Sequence, residues 1–397
     1  MTPEARIAAA IDILDRVIGG MAAEPALTGW ARSHRFAGAR DRAAIRDLVF
    51  DALRRRRSCL ARSGAAAETG RALMIGHVAA SGGDPAAVFT GAGYGPPPLD
   101  ADERAGLAAA AGAAVPELVA LDCPDWIAPA LRRALGADFA AVLARLRERA
   151  PVFLRVNPRR GTVPEAATAL AADGIGAAPA ESVSFALEVT ENAQKIRHSR
   201  AYLEGLVELQ DLSPQAAVAA LPLRPGMRVL DYCAGGGGKA LAVAAQGVAE
   251  VVAHDADPGR MVDLPARAAR AGVRIATATP AALAGRRFDL VLADVPCSGT
   301  GTWRRMPDAK WRLTPARLEE LRRLQAAILD RASGHVASEG YLACMTCSLL
   351  GEENRDRIDG FLGRTPGWRL LGDRLFTPLS GGDGFYSALL TRGSGAA

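Results

Sequence analysis

A chain of 397 residues with 49% hydrophobic and 23% charged residues has an ordinary globular balance, and at roughly 100–200 residues per domain it should form two to four domains. No run approaches about 18 apolar residues, which excludes a membrane-spanning helix, and six cysteines are too few for a disulfide scaffold. The net charge of +5 leans toward polyanionic partners without naming one, and among 48 basic residues only Lys195, Lys239 and Lys310 are lysines. Each surviving lysine is therefore a candidate for a shaped site where arginine does not serve.

The first stretch carries Glu4, Arg6, Asp12, Asp15 and Arg16 in a helical pattern. That is the wrong flank chemistry for a signal peptide, which predicts a cytoplasmic protein. Ile7, Ala10, Ile11, Leu14 and Val17, and then Ile45, Leu48, Val49 and Leu53, fall at helical spacing. The run Arg54, Arg55, Arg56 and Arg57 reads first as a solvated helix end with its cations on the dipole, and second as an RNA-facing patch. Residues 61–120 are rich in Ala and Gly and are interrupted by Pro96, Pro97 and Pro98, so helices and loops should alternate to about Glu148. After Pro151 the pattern predicts strands at Val152 to Val156, Phe185 to Val189 and Leu206 to Leu209, with a helix from Pro164 to Ala172: a small α+β unit. From Gly226 onward, strands at Arg228–Asp231, 251–254, 273–276, 289–293 and 341–345 alternate with helices. This predicts a parallel sheet covered on both faces.

The first of these strands runs through Asp231 and Tyr232 into Cys233, Ala234, Gly235, Gly236, Gly237, Gly238 and Lys239. Glycines at such a turn let a nucleotide-type ligand approach the backbone at the carboxyl edge of the sheet, although the spacing matches neither a phosphate-binding loop nor a dinucleotide fingerprint. Asp255, at the end of the next strand, is placed to bind a ribose diol. Two cysteine turns follow at later strand ends. One is Asp294-Val295-Pro296-Cys297-Ser298-Gly299-Thr300-Gly301; the other is Met345-Thr346-Cys347-Ser348, followed by Glu352-Glu353-Asn354. Two thiols and a carboxylate beside a nucleotide-like ligand point to nucleophilic chemistry. Cysteines buried merely as small hydrophobes would not need to sit in Pro/Ser/Gly turns at strand ends. The Cys344/Cys347 spacing is not a zinc or redox pair, because the two side chains leave the strand on opposite faces and no further ligand pair exists.

On these motifs the stretch from Asp231 to Asn354 resembles the RsmB/NOL/NOP/Sun family of S-adenosylmethionine-dependent RNA cytosine-5 methyltransferases. Arg304-Arg305, Pro307-Asp308 and Lys310-Trp311 continue the second motif. Leu154-Arg155-Val156-Asn157, Leu209-Gln210-Asp211 with Ser213, and Asp383-Gly384-Phe385 extend the likeness outward, and residues 1–60 are similar to a NusB-type helical domain.

The resemblance implies a multidomain chain. A helical NusB-like RNA-binding domain over 1–148 and a small α+β domain over 149–215 would precede an α/β Rossmann-like class I methyltransferase domain over 216–397. It implies Cys347 as the attacking nucleophile, Cys297 as the thiol that assists release, and Asp294 against the cytosine edge and the cofactor. S-adenosylmethionine would be held by Cys233, Ala234, Gly235, Gly236, Gly237, Gly238, Lys239, Asp255, Thr277 and Asp294. RNA would be contacted by Arg304, Arg305, Lys310 and Trp311, with Arg312, Trp303 and the Arg54–Arg57 run as further contacts, and no metal is expected. The chain departs from the family at Gly236, where a proline is usual, and at Thr277, where an aspartate is usual. The expected substrate is small-subunit ribosomal RNA, with transfer RNA as the alternative, acted on by a monomer away from any membrane. Rival readings are a non-catalytic RNA-binding or ribosome-assembly protein, and an enzyme in which Cys297 attacks instead.

Overall fold

The computed structural model describes residues 1–392, which fall into two compact units. One comprises Met1–Arg149 together with Thr302–Leu313; the other comprises Ala150–Gly301 and the chain from Thr314 on. The sequence pattern suggests three consecutive segments. The difference is that residues 302–313 leave the second unit to join the first, and that the α+β layer belongs to the second.

In the helical unit, Thr2 caps α1 (Pro3–Ile18) by accepting from Ala5 N, and Pro3 occupies a first-turn position where no backbone donor is needed. Ile7, Ala10, Ile13, Leu14 and Val17 form its buried stripe. They pack with Trp30 of α2 (Ala23–Ser33) and with Ile45, Val49 and Leu53 of α3 (Ala39–Arg54), each large side chain contributing about 1.5–3 kcal/mol on burial. Further on, a reciprocal Asp100/Glu103 capping box starts the helix Ala101–Ala110.

The second unit begins with an antiparallel sheet of order β2-β3-β1-β4, from β1 (Val152–Val156), β2 (Gly176–Pro179), β3 (Ala186–Glu191) and β4 (Val207–Leu209). Helix Val163–Ala172, opened by a Thr162/Glu165 capping box, packs on it through Ala166 and Leu170. The expected strands are present, and β2 is added. Its Gly-Ala-Ala-Pro sequence has neither β-branched residues nor alternation to announce it.

The larger sheet contains β5 (Arg228–Asp231), β6 (Glu250–Ala253), β7 (Ala276–Thr277), β8 (Phe288–Asp294), β9 (Val336–Thr346), β10 (Trp368–Phe376) and β11 (Phe385–Arg392) in the order β10-β11-β9-β8-β5-β6-β7. Strands β5 to β9 pair in parallel; β10 and β11 close the edge antiparallel. Leu230, Val252, Val291 and Leu342 pack into one core cluster and Val229, Val251, Leu290 and Ala343 into another, as a sheet buried on both faces requires. The strand order reverses between β5 and β8, so the crevice where a ligand is expected lies at the carboxyl ends of these two strands. Among the described residues no helix is long and apolar enough to cross a membrane.

Candidate active site

Three strand ends converge at that crevice. Asp231 closes β5, Asp294 closes β8, and Cys347 lies just past β9, with Asp294 in register with Met345. The glycine loop then turns sharply. Gly237 has a φ of +78°, and a Cβ there would stand 2.2 Å from Leu264 Cδ1, so only glycine fits between the loop and the helix it packs on. Asp255 staples this loop: it accepts from Gly235 N at 2.8 Å, from Asp257 N at 3.0 Å and from Arg260 Nη1 at 3.0 Å. A carboxylate offers about four acceptor sites, so room for one more donor remains.

Lys239, on the first turn after the loop, sends Nζ to Asp294 Oδ2 at 2.5 Å and lies 5.1 Å from the centre of the Phe385 ring. Burial alone would favour discharge of this ammonium. The charge and hydrogen bond of Asp294, with the charges of Asp231 and Cys347, outweigh burial and hold its pKa above the ordinary value. Asp231 is 1% exposed, and burial pushes its carboxyl up to about 7 against the pull of Lys239. Its Oδ1 has no hydrogen-bond partner among the described residues.

The two thiols meet. Cys297 Sγ and Cys347 Sγ are 3.3 Å apart, at hydrogen-bond distance and both free. The hydrogen bond to Cys347, then burial, then the charges of Cys347 and Glu353 hold the Cys297 thiol well above its ordinary pKa. Cys297 therefore resists ionisation, and either sulfur can be the donor of the contact between them.

What sets this distance lies underneath. Glu353 is fully buried and accepts from Ser298 N at 2.9 Å, Ser298 Oγ, Ser348 Oγ at 2.5 Å and Gln325 Nε2 at 2.9 Å. Ser298 follows Cys297 and Ser348 follows Cys347, so one carboxylate ties both cysteine turns together. Gln325 also donates to Pro296 O at 2.9 Å, and Asn354 Nδ2 to Ser348 O at 2.8 Å. Gly301 N donates to Cys347 O at 3.0 Å; a Cβ on Gly301 would lie 2.1 Å from Gly384 O, so the chain crossing there admits only glycine. Sequence reading places Glu353 in its motif but assigns it no role. The signal was available in the Ser that follows each cysteine.

Residues 218–390 match the 16S rRNA methyltransferase RsmB/F family, and residues 123–195 match the ferredoxin-like domain of RsmF/B-like methyltransferases. The chain is 34% identical over 286 residues to ribosomal RNA small subunit methyltransferase B of Citrobacter koseri, covering 68% of this chain and 66% of that one. It is likewise 34% identical over 284 residues to the protein of that name from Erwinia tasmaniensis, with the same coverage. The chain belongs to the RsmB/F methyltransferase family. A crystal structure of PH0851 shares the fold over 98% of this chain and 99% of that one, with a TM-score of 0.76 and 21% identity. NSun6 from Pyrococcus horikoshii, solved with SFG, does so over 68% and 98%, at 0.60 and 16%.

Within this RsmB/F-family chain, the departure at Gly236 has a local counterpart. Arg267 Nη1 donates to Gly236 O, and a Cβ at residue 236 would lie 2.9 Å from that nitrogen. Arg267 is itself paired with Glu208 of β4 at 3.3 Å. A guanidinium anchored on the small sheet thus braces the loop from outside. Thr277, at the end of β7, is exposed.

The expected RNA contacts of the RsmB/F chain need correction. Arg304 and Lys310 are 3% and 2% exposed within the helical unit. Lys310 Nζ donates to Arg54 O at 3.1 Å, Trp311 Nε1 to Leu53 O at 2.7 Å, and Arg54 Nε to Arg304 O at 2.7 Å. The Lys310 and Trp311 donors satisfy the last two carbonyls of α3, which would otherwise be orphaned, and Arg54 in turn holds the Arg304 carbonyl, so these donors are not presented to RNA. Trp303, 1% exposed, is core. Arg305 is half-buried. Three members of the Arg54–Arg57 run have carboxylate partners: Arg54 pairs with Asp51, Arg56 with Glu68 and Arg57 with Asp125.

Proposed function

We propose that this chain transfers a methyl group from S-adenosylmethionine to carbon 5 of a cytosine in small-subunit ribosomal RNA, through a covalent bond between Cys347 and the RNA. The observation that carries this reading is the 3.3 Å Cys297/Cys347 pair beside the Lys239–Asp294 ion pair. The matched segment spans 66% of the length of the curated relatives, and their name supports ribosomal RNA over transfer RNA.

The residues fit the cofactor. The four glycines of the turn bring no side chains of their own between backbone and ligand, Asp255 keeps acceptor capacity for a ribose hydroxyl, and Asp231 holds an unpartnered buried oxygen at the same edge. Cys233 to Lys239, Asp255, Thr277 and Asp294 would hold it, and when bound it supplies an electrophilic methyl group. The chain's own groups must make carbon 5 a nucleophile. Cys347 sulfur adds to carbon 6 of the unstacked base, forming the S–C6 bond and moving electron density to carbon 5, while Asp294 holds the N3/N4 edge. Once carbon 5 carries the methyl group, its proton passes to solvent base, the S–C6 bond breaks with its electron pair returning to the Cys347 sulfur, and the ring is restored, with Cys297 assisting release. Lys239 fixes Asp294 and supplies positive charge where the sulfur must be an anion. We further propose a cytoplasmic monomer, the three functional segments 1–148, 149–215 and 216–397, and Arg305 as an RNA contact.

Incubation with labelled S-adenosylmethionine and 16S ribosomal RNA, followed by nucleoside mass spectrometry, should yield 5-methylcytosine. Label in transfer RNA alone, or none in any RNA, would contradict the proposal. Because Arg267 braces the loop, Arg267→Ala should weaken S-adenosylhomocysteine binding by about tenfold in calorimetry, the scale of one charge-assisted hydrogen bond. An unchanged affinity would remove Arg267 from the account.

A further inference from the structure

With Trp303, Arg304 and Lys310 buried and Arg54, Arg56 and Arg57 held in ion pairs, another part of the helical unit carries exposed cations. The turn between α2 and α3 is closed by Ala37 N donating to His34 O at 3.0 Å, with Ala37 fully buried and Arg42 Nε holding its carbonyl at 2.8 Å. Both ends of the turn are thus fixed, yet Phe36 at its tip is 73% exposed. Its ring does not stand alone. Buried Trp30 stacks on His34 with centroids 4.3 Å apart and planes 7° from parallel, and His34 meets Phe36 edge-on at 5.8 Å. Since a carbonyl can only accept, His34 Nδ1 donates to Trp30 O at 2.8 Å, which locks the imidazole in the stack. Arg32, Arg35 and Arg40 flank this turn in sequence, are exposed and enter no ion pair among the described residues.

A single exposed aromatic residue needs no explanation. A rigidly presented ring that continues a buried aromatic stack, among three guanidiniums without counter-charges, has the two elements by which single strands are held: a stacking face and a cationic rim. We infer that this turn is a platform for single-stranded RNA, on which one unpaired base stacks against Phe36 while Arg32, Arg35 and Arg40 meet the flanking phosphates. The inference rests on the reading of the substrate as RNA, and adds to it a contact remote in sequence from the cysteine motifs.

The test uses the full chain and fluorescence anisotropy with a labelled 12-nucleotide oligouridylate and an RNA duplex of equal length. Phe36→Ala should raise Kd for the single strand by roughly 5- to 100-fold, the worth of one stacked base, and leave the duplex within about twofold. Phe36→Trp should bind as wild type, and Arg35→Ala should reduce the salt slope by about 0.7 if one phosphate contact is lost. Circular dichroism and urea denaturation of the full chain verify that the variants keep their fold. Wild-type binding of the oligouridylate by Phe36→Ala, equal losses on both probes, or no wild-type binding would each overturn the platform; a pull-down in which Phe36→Ala instead loses a protein partner would do the same. Failure is distinguishable from failure of the functional proposal: a chain that binds through Phe36 but methylates nothing refutes only the latter, and one that methylates with Phe36 irrelevant refutes only the former.

Discussion

Glu353→Ala is expected to lower the rate of methyl transfer by at least about 100-fold and to destabilise the catalytic unit by about 3–5 kcal/mol. The carboxylate sits at 0% exposure with four protein donors on it. Its removal leaves the Ser298 amide, two hydroxyls and a glutamine amide to find other partners in a buried space, and each unsatisfied group costs about 1–3 kcal/mol. Rate is lost because Ser298 and Ser348 anchor the turns that carry the two thiols, and a misplacement of about 1 Å suffices for a loss on this scale. Glu353→Gln separates position from mere folding. One oxygen can still accept from Ser298 N and Gln325, and the two hydroxyls can rotate to accept from the new amide. This variant should fold within about 1.5 kcal/mol of wild type by urea denaturation. It should also alkylate at Cys297 at lower pH, because one of the charges holding that thiol protonated is gone. Full activity in Glu353→Ala would show that the cysteine turns are set elsewhere.

Lys239→Met is expected to be the second large loss, and its cost should depend on pH. The ammonium is 13% exposed and neutralises Asp294 directly and Asp231 through space. With the cation gone, two carboxylates remain beside each other without it; breaking a fully buried pair costs about 3–5 kcal/mol, and the 31% exposure of Asp294 keeps the loss below that. Asp231 already has its folded pKa raised to about 7 from an ordinary 3.8, so the native state binds its proton more tightly than the unfolded chain. By linkage, its presence costs stability as pH rises from about 4 through 7, and removing Lys239 lifts the folded pKa further. The difference in stability between Lys239→Met and wild type should therefore be larger at pH 8 than at pH 5. A difference independent of pH would mean that Asp231 does not feel Lys239. Lys239→Arg should not rescue activity, since a planar guanidinium cannot replace the compact ammonium in this space.

The parts of the site that follow from strand order were readable in advance. Open α/β sheets place loops at the carboxyl edge, so Asp231, Lys239, Asp294, Cys297 and Cys347 could be gathered from their positions at strand ends. Lys239 and Lys310, two of the chain's three lysines, both take internal partners, the Asp294 carboxylate and the Arg54 carbonyl. Less could be read where partners are remote. Residues 302–313 continue directly from the Cys297 turn, and only contacts some 250 positions away, from Arg54 and Leu53, show that they belong with the helices. Local pattern carries no trace of that. Glu352 and Glu353 look alike in sequence, yet the first pairs with Arg322 at 22% exposure while the second is sealed beneath the thiols. Strand β7 is displaced toward Thr277 because helix Leu264–Ala271 ends at Gly272 with φ +69°, and Val273 N still serves the helix by donating to Ala268 O.

The division of labour between the thiols is the centre of the account, and a denaturing gel reads it directly. Wild type, Cys297→Ala and Cys347→Ala are each incubated with 16S ribosomal RNA and S-adenosylmethionine, then resolved under conditions that keep only covalent complexes. A protein–RNA band that accumulates in Cys297→Ala and is absent from Cys347→Ala is the predicted result, because Cys347 forms the bond and Cys297 helps to break it. A band in Cys347→Ala and none in Cys297→Ala would contradict it and make Cys297 the nucleophile.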